Sequence, residues 1–510
     1  MRFRILMLLC LLAPAWICPT SVAEDIAPVP RQKQFQRLLE IAEELRVQMR
    51  VPGVGLSLIV DHQPLFAGGL GLRDVAQNLP VDEDTCFGIC SNTKSMTGLL
   101  VTQLVSRGIL DWDRPIREYL PSLQLSDAYV QQHVTLADAC SHMTGLARRD
   151  ELWKNPSVTR ADVLNQIKSL PFESSLREEF HYNNHMFVLV GHVIEIATGK
   201  SWEQNIEDEI FRPLGMTDSG TGYADFIHHP KHSMGYAIDG QTQLAHVNVD
   251  CVGPSGSVCS TPKDLMKWLR LWVGRGVIDG KTLIAEQSLE AYERPRSASM
   301  VSSTEFKSYW AGWGLKIVNG QVEYRHSGGI DGLNSTIRAR PSDGFGVFVV
   351  TNQRSDYKDL IADYADQLMN ERHFTRDVQR EHELILTAHF RCFATLLMVS
   401  RARADEVRSE LALGDLEPEL NALGYELMRQ EQYEKARFVF KINTEENPSS
   451  PNAWDSLGEC EYETARWKQA LSAYRKCLEL DAKQSKAKTM IERIQRDHIT
   501  DDSPSFRPVQ

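Results

Sequence analysis

The chain has 510 residues, of which 42% are hydrophobic and 24% charged, with a formal net charge of −12. That length allows about two to four domains with sizeable cores, and the composition is that of a folding globular protein. The acidic balance argues against a nucleic-acid partner, since that role needs a basic face.

Residues 1–23 read as a signal peptide. Arg2 and Arg4 open it, Ile5 to Ile17 is apolar apart from Pro14, and Ser21-Val22-Ala23 offers small residues for cleavage. The apolar run is short for a membrane span of about 20 residues, although retention as an N-terminal anchor is the competing reading. No later run is long and apolar enough to span, so a periplasmic or secreted protein without a membrane span after cleavage is expected. Cys10 and Cys18 leave with the signal. An oxidising compartment permits disulfides among the other cysteines, but no spacing fixes a pairing, and buried free thiols are the simpler expectation.

Residues 24–33 look like a flexible N-terminus. Gln34 to Met49 carries helical periodicity through Phe35, Leu38, Leu39, Ile41, Ala42 and Leu45. Strand patterns follow over Val51 to Val60 and Pro64 to Leu70. Helices and strands then alternate to about residue 370, where Gly344 to Thr351 reads as a strand and Asp356 to Asn370 as a helix. Strands at both ends of the region predict an α+β domain over 34–372, whose sheet is built from both ends of the chain.

Beyond a helical linker (373–415), an internal repeat appears. Leu423-Gly424, Tyr433, Ala436 and Phe440 recur 34 residues later as Leu457-Gly458, Trp467, Ala470 and Tyr474. This pattern resembles a tetratricopeptide repeat, with a generic helical hairpin array as the alternative. Repeats with a capping helix (Lys483 to Arg496) are assigned to 416–499, and a disordered tail to 500–510. Such repeats offer a concave surface to a protein partner; the sequence leaves that partner and the oligomeric state open.

The chemistry centres on Ser91-Asn92-Thr93-Lys94. The helical spacing of Met96, Leu99, Leu100, Leu104 and Val105 puts Ser91 at a helix N-terminus and Lys94 one turn on, facing the same way. A serine hydroxyl needs a neighbouring base, and a lysine of lowered pKa can serve. Tyr182-Asn183-Asn184 precedes an apolar helix (Met186 to Ile196). Tyr182 near cations can share the proton traffic as phenolate, and Asn184 can hydrogen-bond both Lys94 and a substrate amide. His326-Ser327-Gly328-Gly329 follows the strand-like Val322 to Arg325, and its glycines let a substrate approach backbone.

In this order, the three motifs resemble those of the serine β-lactamase and penicillin-binding superfamily, more narrowly its class C-like branch of β-lactamases, D-peptidases and family VIII esterases. Val134 to Leu146, Pro213-Leu214-Gly215-Met216, Gly256 to Leu265, Gly312 to Leu315 and Asn352 are also similar to landmarks of that branch. The resemblance covers about residues 35–370. It implies an antiparallel sheet flanked by helices plus a mainly helical subdomain. Ser91 would be the acyl-forming nucleophile, and Lys94 and Tyr182 the general base and acid. Asn184, His326, Ser327, Gly328 and Gly329 would bind substrate, with the backbone N–H groups of Ser91 and Gly329 forming an oxyanion hole. No metal or organic cofactor is implied.

Many relatives have Lys where this chain has His326, so a substrate carboxylate would be held less firmly unless Arg338 or Arg340 compensates. Ester or peptide substrates are therefore favoured over β-lactams. His228, His229 and His232 read as a loop cluster, His142 as a loop brace, and Trp310 and Trp313 as core. The competing function is an inactive scaffold or penicillin-binding sensor that recruits partners through its repeats.

Overall fold

A computed structural model describes residues 31–150, 155, 157–293, 297–300, 305–318, 321–370, 416–429 and 433–498. The signal segment, the 373–415 linker, Cys392 and the 500–510 tail lie outside them. Helix α1 spans Arg31–Gln48. It begins inside the stretch read as flexible, with Arg31 hydrogen-bonded to Asp61.

The domain is organised on a nine-stranded antiparallel sheet. In chain order its strands are β1 (Gly53–Val60), β2 (Gln63–Asp74), β3 (Leu79–Pro80), β4 (Ala298–Met300), β5 (Glu305–Trp310), β6 (Trp313–Val318), β7 (Gln321–Ile330), β8 (Leu333–Arg340) and β9 (Phe345–Thr351). They lie side by side as β4-β5-β6-β7-β8-β9-β1-β2-β3, so β9 from the end of the domain pairs with β1 from its start.

Both faces of the central strands are covered, and the two-residue period of a strand sorts their side chains between two cores. Val54, Leu56, Leu58, Val347 and Val349 pack with α1 and with helix Tyr357–Asn370. Ile59, Phe348 and Val350 face the larger core, with helices α2 (Thr93–Ser106) and α3 (Asn184–Thr198). Trp310 and Trp313 belong to that core, against Trp112 and Trp272 at 4.6 Å each.

Asn352, just past β9, ties that strand to β1 and β2. Its buried carboxamide accepts from the Gly53 N–H (2.6 Å) and donates to the Leu72 carbonyl (3.0 Å). Asn352→Ala orphans both backbone groups, and urea unfolding should show a loss of about 2–3 kcal/mol.

The described cysteines are all buried free thiols. Among the described residues no helix is long and apolar enough to cross a membrane.

The C-terminal part is a helical array: Glu417–Arg429, Tyr433–Glu446, Pro451–Glu463, Trp467–Leu480 and Ser485–His498. The 34-residue periodicity has a steric cause. A Cβ on Gly424 would come within 2.3 Å of the Phe440 ring, and one on Gly458 within 2.9 Å of the Tyr474 ring. The same close helix crossing is thus made twice.

Candidate active site

Ser91 lies in the 3-10 turn Cys90–Asn92 that runs into α2, not within the α-helix itself. The turn is under strain, because Cys90 has φ +53°, a left-handed conformation that costs a non-glycine residue about 1–2 kcal/mol. Contacts with the sheet hold it there. Ser335 Oγ donates to the Ile89 carbonyl (2.7 Å), and Asn92 Nδ2 donates to Ser335 Oγ (2.8 Å).

Gly328 makes this docking possible, since a Cβ there would come within 2.5 Å of the Ile89 carbonyl oxygen and 2.9 Å of Cys90 Cβ. The strand does not stop at Arg325 but continues to Ile330. Because β6 pairs with β7 only as far as Arg325, His326 to Ile330 are paired with β8 alone. Ser327 and Gly329 are exposed on this half-paired segment.

Helix α2 is buried nearly all round, and Lys94 is fully buried. Its Nζ lies 3.3 Å from Ser91 Oγ and donates to Asn184 Oδ1 (2.7 Å) and to the Ser255 carbonyl (2.8 Å). Burial drives the Lys94 pKa well below its ordinary value; Asp150 opposes this shift and Arg148 adds to it. A neutral amine has two protons and one lone pair. With both protons directed at Asn184 and Ser255, the lone pair is left for the Ser91 hydroxyl.

The Tyr182 ring lies 4.9 Å from Lys94 Nζ, and its hydroxyl is near enough to Ser91 for that residue to lower its pKa. Neighbouring cations favour a phenolate here. Burial instead raises its pKa far above the ordinary tyrosine value, outweighing the opposing influence of Ser91 and Arg148. Tyr182 therefore carries its proton.

Asn184 opens α3, whose first turn is capped by Asn183 accepting from the Met186 N–H. Asn183 Nδ2 also donates to the Leu146 and Ala147 carbonyls, 3.0 Å each, tying the preceding loop to the helix. His142 braces the same junction. Its Nδ1 accepts from the Asn183 N–H (3.2 Å), and its ring packs on Tyr182 and Tyr309 at 4.4 and 4.6 Å.

His326 is buried, and burial, reinforced by Lys94, pushes its pKa down to about 3. Its Nδ1–H donates to the Ser327 carbonyl (2.7 Å), while Nε2 accepts from the Tyr309 hydroxyl (2.9 Å). Both ring nitrogens are occupied and the ring is uncharged at neutral pH.

Arg338 and Arg340 do not supply the missing cation. They bond Asp363 (2.6 Å) and Asp366 (2.5 Å) of helix Tyr357–Asn370, which covers the opposite face of the sheet. Their place in strand β8 gave no sign of which face they occupy.

A family model described as Beta-lactamase matches residues 35–368, more than half of the chain. The chain belongs to the Beta-lactamase family. Penicillin-binding protein 4 of Amycolatopsis lactamdurans is 26% identical over 351 residues, covering 64% of this chain and 88% of its own. Protein flp of Staphylococcus aureus (strain NCTC 8325 / PS 47) is 23% identical over 350 residues, covering 67% and 68%. Among solved structures, the octameric penicillin-binding protein homologue from Pyrococcus abyssi matches with a TM-score of 0.58 at 25% identity, over 66% of this chain and 77% of that one. D-amino acid amidase from Ochrobactrum anthropi SV3 shares the fold, with a TM-score of 0.56 at 21% identity over 66% and 97%.

Within this Beta-lactamase domain the three motifs converge around Ser91. Ser255, Tyr309, Arg148 and Asp150 also reach this site, though no sequence motif marks them. Ser255 acts through a backbone carbonyl, which no side-chain pattern reveals. Tyr309, Arg148 and Asp150 stand outside any motif and reach the site only through the fold.

Proposed function

We propose that the protein is an exported serine hydrolase that cleaves ester and amide bonds through an acyl-enzyme on Ser91. The observation that carries this reading is the geometry at Lys94: buried, donating to Asn184 Oδ1 and the Ser255 carbonyl, with Nζ 3.3 Å from Ser91 Oγ and its pKa pushed well down by burial.

In the reaction, Lys94 takes the Ser91 proton as Oγ attacks the acyl carbon. The backbone N–H groups of Ser91 and Gly329 hold the oxyanion. On collapse the Tyr182 hydroxyl protonates the departing oxygen or nitrogen and regains a proton from the Lys94 ammonium. Water then attacks the Ser91 ester, giving up its proton to Lys94; as the acyl–Oγ bond breaks, Lys94 returns that proton to Ser91 Oγ and the acid is released.

Amide substrates are supported by the amidase among the fold neighbours, and acyl-serine chemistry by the penicillin-binding relative. The uncharged, fully hydrogen-bonded His326 gives no cation to a carboxylate at the third motif, which favours esters. The 34-residue repeat supports a tetratricopeptide-like module that engages a protein partner. p-Nitrophenyl butyrate, nitrocefin and a D-Ala-D-Ala peptide, assayed in parallel, test the substrate reading. The ester should be turned over fastest; a nitrocefin rate far above the ester rate contradicts it.

A further inference from the structure

The Asn184 carboxamide helps Lys94 only in one of its two orientations. Oδ1 must face the Lys94 amine, because an NH2 group there would set donor against donor and take away the acceptor for one amine proton. Asp150 decides the orientation. Its Oδ1 lies 3.0 Å from Asn184 Nδ2, and a carboxylate only accepts. Asp150 is in turn held by Arg148, whose guanidinium is 2.5 Å from Oδ2 and lies over the Tyr182 ring at 5.2 Å.

We infer that Asp150 is a positioning residue for acylation, fixing the Asn184 carboxamide so that the Lys94 lone pair is presented to Ser91, with Arg148 as its counter-charge. This inference rests on the acyl-serine reading above and adds to it a residue outside all three motifs. The charges also act on Lys94 directly. Burial lowers its pKa most, Asp150 raises it, Arg148 lowers it and Cys90 raises it. The other titratable groups around it carry no charge at neutral pH: Tyr182 is protonated, and burial holds His142 and His326 neutral.

The test compares Asp150→Ala, Asp150→Asn and Arg148→Gln with the wild type, using p-nitrophenyl butyrate turnover and its pH profile. Asp150→Ala removes the acceptor, and the plateau kcat should fall about tenfold or more. Asp150→Asn keeps an acceptor oxygen, so its plateau should recover to within about threefold of wild type. The acid limb should move to lower pH in Asp150→Asn, where the charge supporting Lys94 protonation is gone. It should move to higher pH in Arg148→Gln, where the opposing cation is gone. The inference is overturned by a plateau in Asp150→Asn as low as in Asp150→Ala, by an Asp150→Ala rate equal to wild type, or by acid limbs that stay put or move together. Should Asp150→Ala fail to fold, the opposed shifts of the other two variants still decide it. Failure of the wild type itself to turn over the ester counts against the acyl-serine reading instead.

Discussion

Ser91→Ala should lower ester turnover by at least about 10⁴-fold, to the solution background, while leaving the fold intact. The change removes a single oxygen from a half-buried side chain. The turn that carries it is held by other residues, through the Ser335–Ile89 and Asn92–Ser335 hydrogen bonds. Stability should therefore shift by no more than about 1 kcal/mol, measured by thermal unfolding alongside the kinetics. Loss of turnover with an unchanged melting curve places the defect in the chemistry. Residual turnover well above background would mean that another nucleophile does the work.

Lys94→Met should reduce acylation by about 10²–10⁴-fold, the usual weight of a positioned general base. It should also leave a signature in stability that a merely structural lysine would not. An unfolded lysine keeps its proton up to about pH 10.4, whereas native Lys94 gives it up at much lower pH. Between those two values the unfolded state holds the extra proton, so this group makes wild-type stability rise with pH, by about 1.4 kcal/mol per unit. The thioether of the variant cannot titrate. The stability of wild type relative to the variant should therefore climb from about pH 8 to about pH 10 in denaturant unfolding. A flat difference would mean that Lys94 is charged in the native protein, which removes it as the base.

Much of this arrangement was legible in the chain, and its gaps have physical causes. The helical period after Ser91 and the strand runs at both ends of the domain depend on local burial patterns, so the sheet joining β9 to β1 could be anticipated. Ser91, Lys94, Tyr182 and Asn184 were legible because helix geometry and short motifs fix their spacing. Charge state was not, because it depends on burial. Tyr182 beside cations suggested a phenolate, yet desolvation of this half-buried side chain keeps its proton on. Arg338 and Arg340 were plausible anion partners until strand alternation carried them to the face covered by Asp363 and Asp366. Asp150 was invisible because its role comes through one hydrogen bond to a residue 34 positions away.

Covalent trapping tests the central claim most directly. The folded wild-type protein is treated with a fluorophosphonate, its intact mass is measured, and the modified peptide is mapped. A single adduct on Ser91, absent from Ser91→Ala and formed more slowly as pH falls through the titration of Lys94, is the predicted result. No adduct on the folded protein, or an adduct on another residue, would contradict a nucleophilic Ser91 activated by Lys94.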